Sequence, residues 1–296
     1  MSWKALSTTG VVIGAVLVAA TPAHAAGQVV TQVPETDRAA ALAHWTPERM
    51  KATGEGDVPP AETISQPYAG PAPAGVGRLF ASTSKGQDLS CSATVVPSAT
   101  KDVALTAGHC VNGGLDRWDN PIKIVNVVFV PGYDHGNAPH GVFAARAFAW
   151  SDTYTGPTSG KDDDAVIALD PADGRHVEDA AGAQDISFDE VSSPAATTTL
   201  GYPVSQLNRG EALVSCGQPA TLKVNSVVSS WQTGCDLAGG SSGGPWLRGF
   251  DQATGRGTIF SVTSRGTMNE DLVTTDLTGS AFTDAVRALY DSADRL

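Results

Sequence analysis

The sequence predicts an all-β chain of about twelve short strands followed by one C-terminal helix. Two observations predict this. From about Gly77 onward, short β-branched and apolar runs recur at even spacing, separated by Gly, Pro, Asn, Asp and Ser clusters, with no sustained helical repeat. Only near the end do Phe282, Val286, Leu289 and Tyr290 recur at helical spacing, with Ser280 as the expected N-cap.

Taken in order, residues 1–26 read as a signal peptide. Lys4 supplies the positive n-region, residues 11–20 an apolar run shorter than a bilayer span, and Ala23-His24-Ala25 an Ala-x-Ala cleavage site. Residues 27–74 differ in composition, with Pro59-Pro60 and a Pro/Gly/Ala stretch at 69–77. They read as propeptide and linker, with one short helix over 37–51, and the folded domain is expected over 75–296. A first set of strands is expected at 89–96, 103–106, 122–130, 142–150 and 165–169. A second set is expected at 197–202, 212–216, 222–230, 244–247, 258–262 and 272–275. The two halves should meet near 175–195.

The 296 residues, 41% of them hydrophobic, allow one large domain or two small ones. The net charge of −12, still strongly acidic without the leader, argues against a nucleic-acid partner and favours solubility. No later segment approaches membrane-spanning length, so after signal removal no membrane partner is expected. The four cysteines, Cys91, Cys110, Cys216 and Cys235, fit an exported protein and permit three pairings. No Cys-x-x-Cys occurs, which argues against zinc.

Three segments carry chemistry. Thr106-Ala107-Gly108-His109-Cys110 places a histidine at the end of an apolar run. Asp162-Asp163-Asp164 leads into the apolar run 165–169. Gly240-Ser241-Ser242-Gly243-Gly244-Pro245 holds a serine among glycines. A hydroxyl needs a base to become a nucleophile at neutral pH, a histidine is the usual base, and a carboxylate can orient it. The segments and their order resemble the trypsin/chymotrypsin-like serine peptidases, closest to secreted actinobacterial trypsin-like members, over about residues 75–296. The motif over 234–247 is the most similar part.

The resemblance implies a chymotrypsin-like fold of two six-stranded β-barrels with the catalytic cleft between them. It further implies a secreted serine endopeptidase, made as a zymogen and acting on peptide or protein substrates as a monomer without cofactor or metal. Its triad would be His109, Asp163 and Ser242, with an oxyanion hole from the N–H groups of Gly240 and Ser242. The aspartate follows from counting back from Leu169, with Asp164 as the alternative, and strand alternation would then turn Asp162 and Asp164 outward. The implied disulfides are Cys91–Cys110 and Cys216–Cys235. The other class of function is a protease-fold protein that binds without cleaving; the intact triad argues against it. An α/β-hydrolase elbow also fits Gly240-x-Ser242-x-Gly244, but needs its histidine after the serine. The six histidines, His24, His44, His109, His135, His140 and His176, all precede Ser242.

One departure from the pattern is informative. Ser241 stands where trypsins carry the aspartate that pairs with a new N-terminal ammonium, so activation should not need such a terminus. Two cuts are expected, one after residue 25 or 26 and one shortly before Arg78. Asp236, six residues before Ser242, occupies the position at which trypsins attract Lys or Arg, though a loop-capping role is equally open. Thr263 and Arg265 lie on the strand expected to form the pocket wall, and Arg265 would suit an acidic side chain. His135, His140 and Asp134 fall in a Gly/Pro-rich loop read as exposed rather than metal-binding, and His176 is read as solvated.

Overall fold

The computed structural model of the protein describes residues 1, 27–53, 64–154, 156, 161–204, 207–237 and 239–296. The expected signal peptide, apart from Met1, lies outside them. Among the described residues no helix is long and apolar enough to cross a membrane.

Six strands close a first barrel: β3 (Val76–Thr83), β4 (Asp88–Val95), β5 (Val103–Thr106), β6 (Ile124–Pro131), β7 (Phe143–Ser151) and β8 (Ala165–Leu169). They pair in the cyclic order β3-β4-β5-β8-β7-β6. Leu79, Val95, Phe129, Phe143, Phe148, Ile167 and Leu169 fill it. A second sheet of nine strands runs β12 (Ala220–Val224), β13 (Ser229–Thr233), β16 (Thr274–Ser280), β15 (Arg256–Met268), β14 (Pro245–Asp251), β10 (Thr198–Gly201), β11 (Val214–Gly217) and β2 (Gln66–Pro67). Its ninth strand, β9 (Asp185–Ile186), pairs in parallel with β15. Trp231, Trp246, Phe260 and Leu277 form its core. A third apolar cluster joins the halves: Val76, Leu105 and Val166 from the first meet Leu200, Leu247 and Val262 from the second, sealed by Leu289 of α4 (Asp284–Ser292). The architecture is mostly β and chymotrypsin-like, with a C-terminal helix. The link between halves, residues 170–197, carries α3 (Val177–Ala181).

Several expected elements come out differently, each for a local reason. The single helix over 37–51 is two, α1 (Glu35–His44) and α2 (Pro47–Ala52). Pro47 forces Thr46 into an extended conformation, and the Thr46 hydroxyl then caps α2 by accepting from the Arg49 N–H. The strand expected at 222–230 is a hairpin. The Asn225 side chain accepts from the N–H groups of Val227 and Val228, both at 2.8 Å, and turns the chain between β12 and β13. The cap of α4 is Thr283, whose hydroxyl accepts from Ala285 N–H, because Ser280 is still the last residue of β16.

The segment read as propeptide and linker is, where described, part of the folded body. β1 (Gln28–Gln32) pairs antiparallel with Gln32↔Ala147 through Gln28↔Ser151 on β7. Ala41, Trp45 and Met50 pack with Phe80, Val128, Tyr133 and Tyr202. Trp45 Nε1 donates to the Asn126 carbonyl at 2.6 Å. The cut expected shortly before Arg78 falls inside buried backbone: Gly75 donates to Ala181 O, and β3 is paired on both sides. Arg78 itself is fully buried, its guanidinium 3.2 Å from Glu211.

Candidate active site

His109 sits in a 3₁₀ turn, Gly108–Cys110, directly after β5. The turn is tied to β4 by the Cys91–Cys110 disulfide, and Cys216–Cys235 ties β11 to the approach to Ser242. Both bridges are those the family resemblance implied. Each closes a loop worth roughly 3 kcal/mol in the chain-entropy picture.

Asp163 grips this turn at two points. Its Oδ1 accepts from the His109 backbone N–H at 2.9 Å, and its Oδ2 lies 2.9 Å from His109 Nδ1. A carboxylate anion only accepts, so the Nδ1 facing it carries the proton, and Nε2 of the neutral ring is the acceptor. Ser264 donates to the same Oδ2 at 2.6 Å. Burial alone would raise the Asp163 carboxyl. The bond to His109, the attraction of its ring when protonated, Ser264 and the His109 N–H together outweigh it and hold the group below the usual aspartate value.

The neighbouring aspartates do not turn out to solvent. All three are buried, each beneath hydroxyl partners: Asp162 takes bonds from Thr153 and Thr283, and Asp164 from Ser280. The hydrogen bond that Asp164 accepts comes from Ser280, whereas both the His109 ring and its N–H bond to Asp163. Burial pushes the Asp164 carboxyl well above the ordinary value, and the adjacent Asp163 and Asp162 charges add to the rise.

Ser242 lies on a loop that the first barrel holds directly. Ser92 N donates to the Ser242 carbonyl at 2.7 Å. The Ser92 hydroxyl donates to the Gly240 carbonyl at 3.0 Å and accepts from Tyr202 N at 2.9 Å. Gly243, at φ +77°, leaves no room for a side chain: a Cβ would stand 2.1 Å from Thr106 Oγ1 and 2.4 Å from the Ser92 carbonyl. Gly240 has φ +95°. Among the described residues, neither Gly240 N–H nor Ser242 N–H donates to a backbone or side-chain acceptor. Ser241 is buried and its hydroxyl donates to the Leu237 carbonyl at 3.3 Å. The Ser242 hydroxyl and the His109 ring share no hydrogen bond among the described residues. In ligand-free enzymes such contacts often tighten only on substrate binding.

Of the two roles left open for Asp236, the structure shows the loop-capping contacts. Asp236 is 6% exposed, and its carboxylate is taken by residues 64–65: Ile64 N and Ser65 N each donate at 2.9 Å, and the Ser65 hydroxyl donates as well. Thr263 is buried, its hydroxyl accepting from Trp246 Nε1 at 2.9 Å. Arg265 is exposed on β15. Between them β15 is irregular, and Ser264 is the extra residue, aimed at Asp163. Sequence reasoning missed Ser264 and Ser92, because a serine in a strand carries no signal of its own.

Cys91, Cys110 and His109 come within metal-ligand distance of one another, but both sulfurs are in the disulfide and Nδ1 faces Asp163. His135 pairs with Asp134 at the surface. His176 is not simply solvated: its Nδ1 lies 2.7 Å from the buried Asp102 carboxylate.

A closed barrel and a second sheet that bring a histidine–aspartate pair to a glycine-framed serine define a chymotrypsin-like protein. The solved structures agree. A thermostable serine protease, AL20, from an extremophilic microorganism is 31% identical, with TM-score 0.66, over 76% of this chain and 99% of that one. The protease Anisep from Arthrobacter nicotinovorans is 27% identical, with TM-score 0.65, over 77% and 99%. A Glu endopeptidase solved in complex with MPD shares the fold at 16% identity and TM-score 0.57, over 80% and 99%. No protein-family model and no curated protein matches the sequence. The chain belongs to the chymotrypsin-like serine peptidase family.

Proposed function

We propose that the protein is a secreted serine endopeptidase acting through an acyl-enzyme intermediate. The observation that carries this reading is the two-point grip of Asp163 on His109, made beside a serine whose loop is fixed to the same barrel. Ser242 Oγ attacks the scissile carbonyl as His109 Nε2 takes its proton. The Gly240 and Ser242 N–H groups receive the developing oxyanion, each such donor contributing about 10²–10³ in rate. Collapse of the tetrahedral adduct breaks the C–N bond, and His109 gives its proton to the leaving amine. Water, deprotonated by His109, then hydrolyses the ester and returns Ser242. Ser264 and the His109 N–H keep Asp163 ionised, so it can stabilise the transient imidazolium. The leader motifs and the two disulfides support export to an oxidising compartment. The working form is a monomer that takes peptide or protein substrates.

The test is covalent. A fluorophosphonate should label the secreted protein, and Ser242→Ala should abolish labelling and lower kcat by roughly 10⁶ with the fold intact. Equal peptide cleavage by variant and wild type would refute the assignment.

A further inference from the structure

The Asp236 carboxylate is buried, sits six residues before Ser242, and faces donors from its own chain. Ile64 N reaches Oδ2 at 2.9 Å. Ser65 N reaches Oδ1 at 2.9 Å, and the Ser65 hydroxyl reaches the same oxygen. A buried carboxylate is stable only where such donors replace water. We propose that Asp236 is the receptor for the Ile64–Ser65 segment rather than a reader of substrate, and that residues 64–68 are a strap that positions the serine loop and belongs to the active enzyme. This rests on the reading of Ser242 as nucleophile.

Three further observations point the same way. Immediately after Ser65, β2 adds to the edge of β11, with Gln66 opposite Ser215 and Pro67 opposite Val214, and Tyr68 N donates to the Leu213 carbonyl at 2.9 Å. The strap therefore reaches from β11 to Asp236. The Cys216–Cys235 disulfide joins the same two pieces of chain, since Cys216 is on β11 and Cys235 precedes Asp236. Covalent bridge and strap thus brace one wall in parallel. On the far side, Leu237 is buried and its carbonyl takes the Ser241 hydroxyl, so displacement at 236 is passed to the residue before the nucleophile. Asp236 is accordingly a positioning residue. A cut anywhere in 69–77 would leave the strap held by these contacts alone, so loss of the strap, rather than the cut itself, should lower activity.

The experiment uses the full chain with Asp236→Asn, Ser65→Ala and the double variant. Each is measured with a fluorophosphonate and with peptides carrying Arg, Glu or Leu before the scissile bond. Expected is a fall in kcat of roughly tenfold or more for Asp236→Asn, equal across the panel, with KM and residue preference unchanged. Ser65→Ala should lower kcat in the same direction, and the double variant should be no worse than Asp236→Asn. Hydrogen exchange should show residues 237–243 opening faster in both single variants while the Cys216–Cys235 bridge and the thermal midpoint of the Ser65→Ala protein stay close to wild type. A loss confined to the Arg peptide would make Asp236 a substrate reader and overturn the proposal. So would fully additive variants, or unchanged exchange at 237–243. If the wild type neither labels nor cleaves, the enzyme reading fails by itself, and the exchange measurement still decides the strap. Should Asp236→Asn not fold, Ser65→Ala carries the same comparison.

Discussion

Asp162, Asp163 and Asp164 sit side by side in the dark of the protein, and their surroundings assign them different charges. Asp163 has a base, a hydroxyl and an N–H around it and is held as the anion. Asp164 has one hydroxyl, and its Oδ1 has no partner among the described residues, so burial keeps it protonated well above the usual range. The native state therefore retains a proton on Asp164 that the unfolded chain releases. Stability falls as pH rises from the unfolded value of 3.8 toward the raised native one. For Asp163 the sign is opposite: its contribution is present above 3.8 and is lost as pH falls below it. Asp164→Asn, which cannot ionise, should thus be at least as stable as wild type at pH 7 and lose that advantage at pH 4, by urea unfolding at both, with peptide cleavage unchanged. A difference independent of pH would show that Asp164 is ionised in the folded protein. At this scale the sequence was legible where spacing is rigid: counting back from Leu169 along the family pattern favours Asp163 while leaving Asp164 as the alternative, and the His109 bonds fall on Asp163. The error lay in equating the outward face with solvent, because Thr283 and Ser280, more than a hundred residues away, arrive to cover it.

The strand ends of the first barrel carry the site, and β4 does more than hold a cysteine. Its Ser92 uses N–H and hydroxyl together to fasten the Ser242 and Gly240 carbonyls. Ser92→Ala keeps the backbone bond but strands the Gly240 carbonyl and the Tyr202 N–H in a buried place, a cost of about 1–3 kcal/mol. The variant should fold with its disulfides intact. Its kcat should fall while KM holds, because the proposed role of Gly240 is to donate to the oxyanion, which forms only beyond the ground state. A rise in KM alone would place Ser92 in substrate binding instead. Most strand positions could be read from β-branched runs, and β8 comes out with its expected bounds. The failures were local contests. Asn225 makes a turn in the middle of a run that looks continuous, Pro47 divides a helix, and β3 hides behind its glycine and its buried Arg78.

Over the whole molecule, the composition break around the Pro/Gly stretch suggested a detachable leader, yet residues 27–53 join the body by strand pairing and by a small aromatic core. β1 could not have been found from side chains. Its residues are almost all exposed, and it is a strand only because β7 offers an unpaired edge beyond the part used by β6. Arg38 adds an ion pair to Asp170 at 2.8 Å, and Arg49 one to Asp88 at 2.7 Å. Exposed pairs of this kind contribute little beyond orientation, so the buried Trp45, Met50 and the five paired residues hold the segment. A protease that cuts once between residues 53 and 64 would therefore not shorten the particle. It would turn one chain into a two-chain complex whose smaller member stays seated. Native sizing would not register the cut, whereas a denaturing gel would. The heat tolerance of the nicked form should then acquire a dependence on protein concentration that the intact chain lacks, falling on dilution as the small chain departs and uncovers Phe80, Tyr133 and the β7 edge. Melting temperatures that stay equal at high and low dilution would mean that the first fifty residues lend the body nothing once cut.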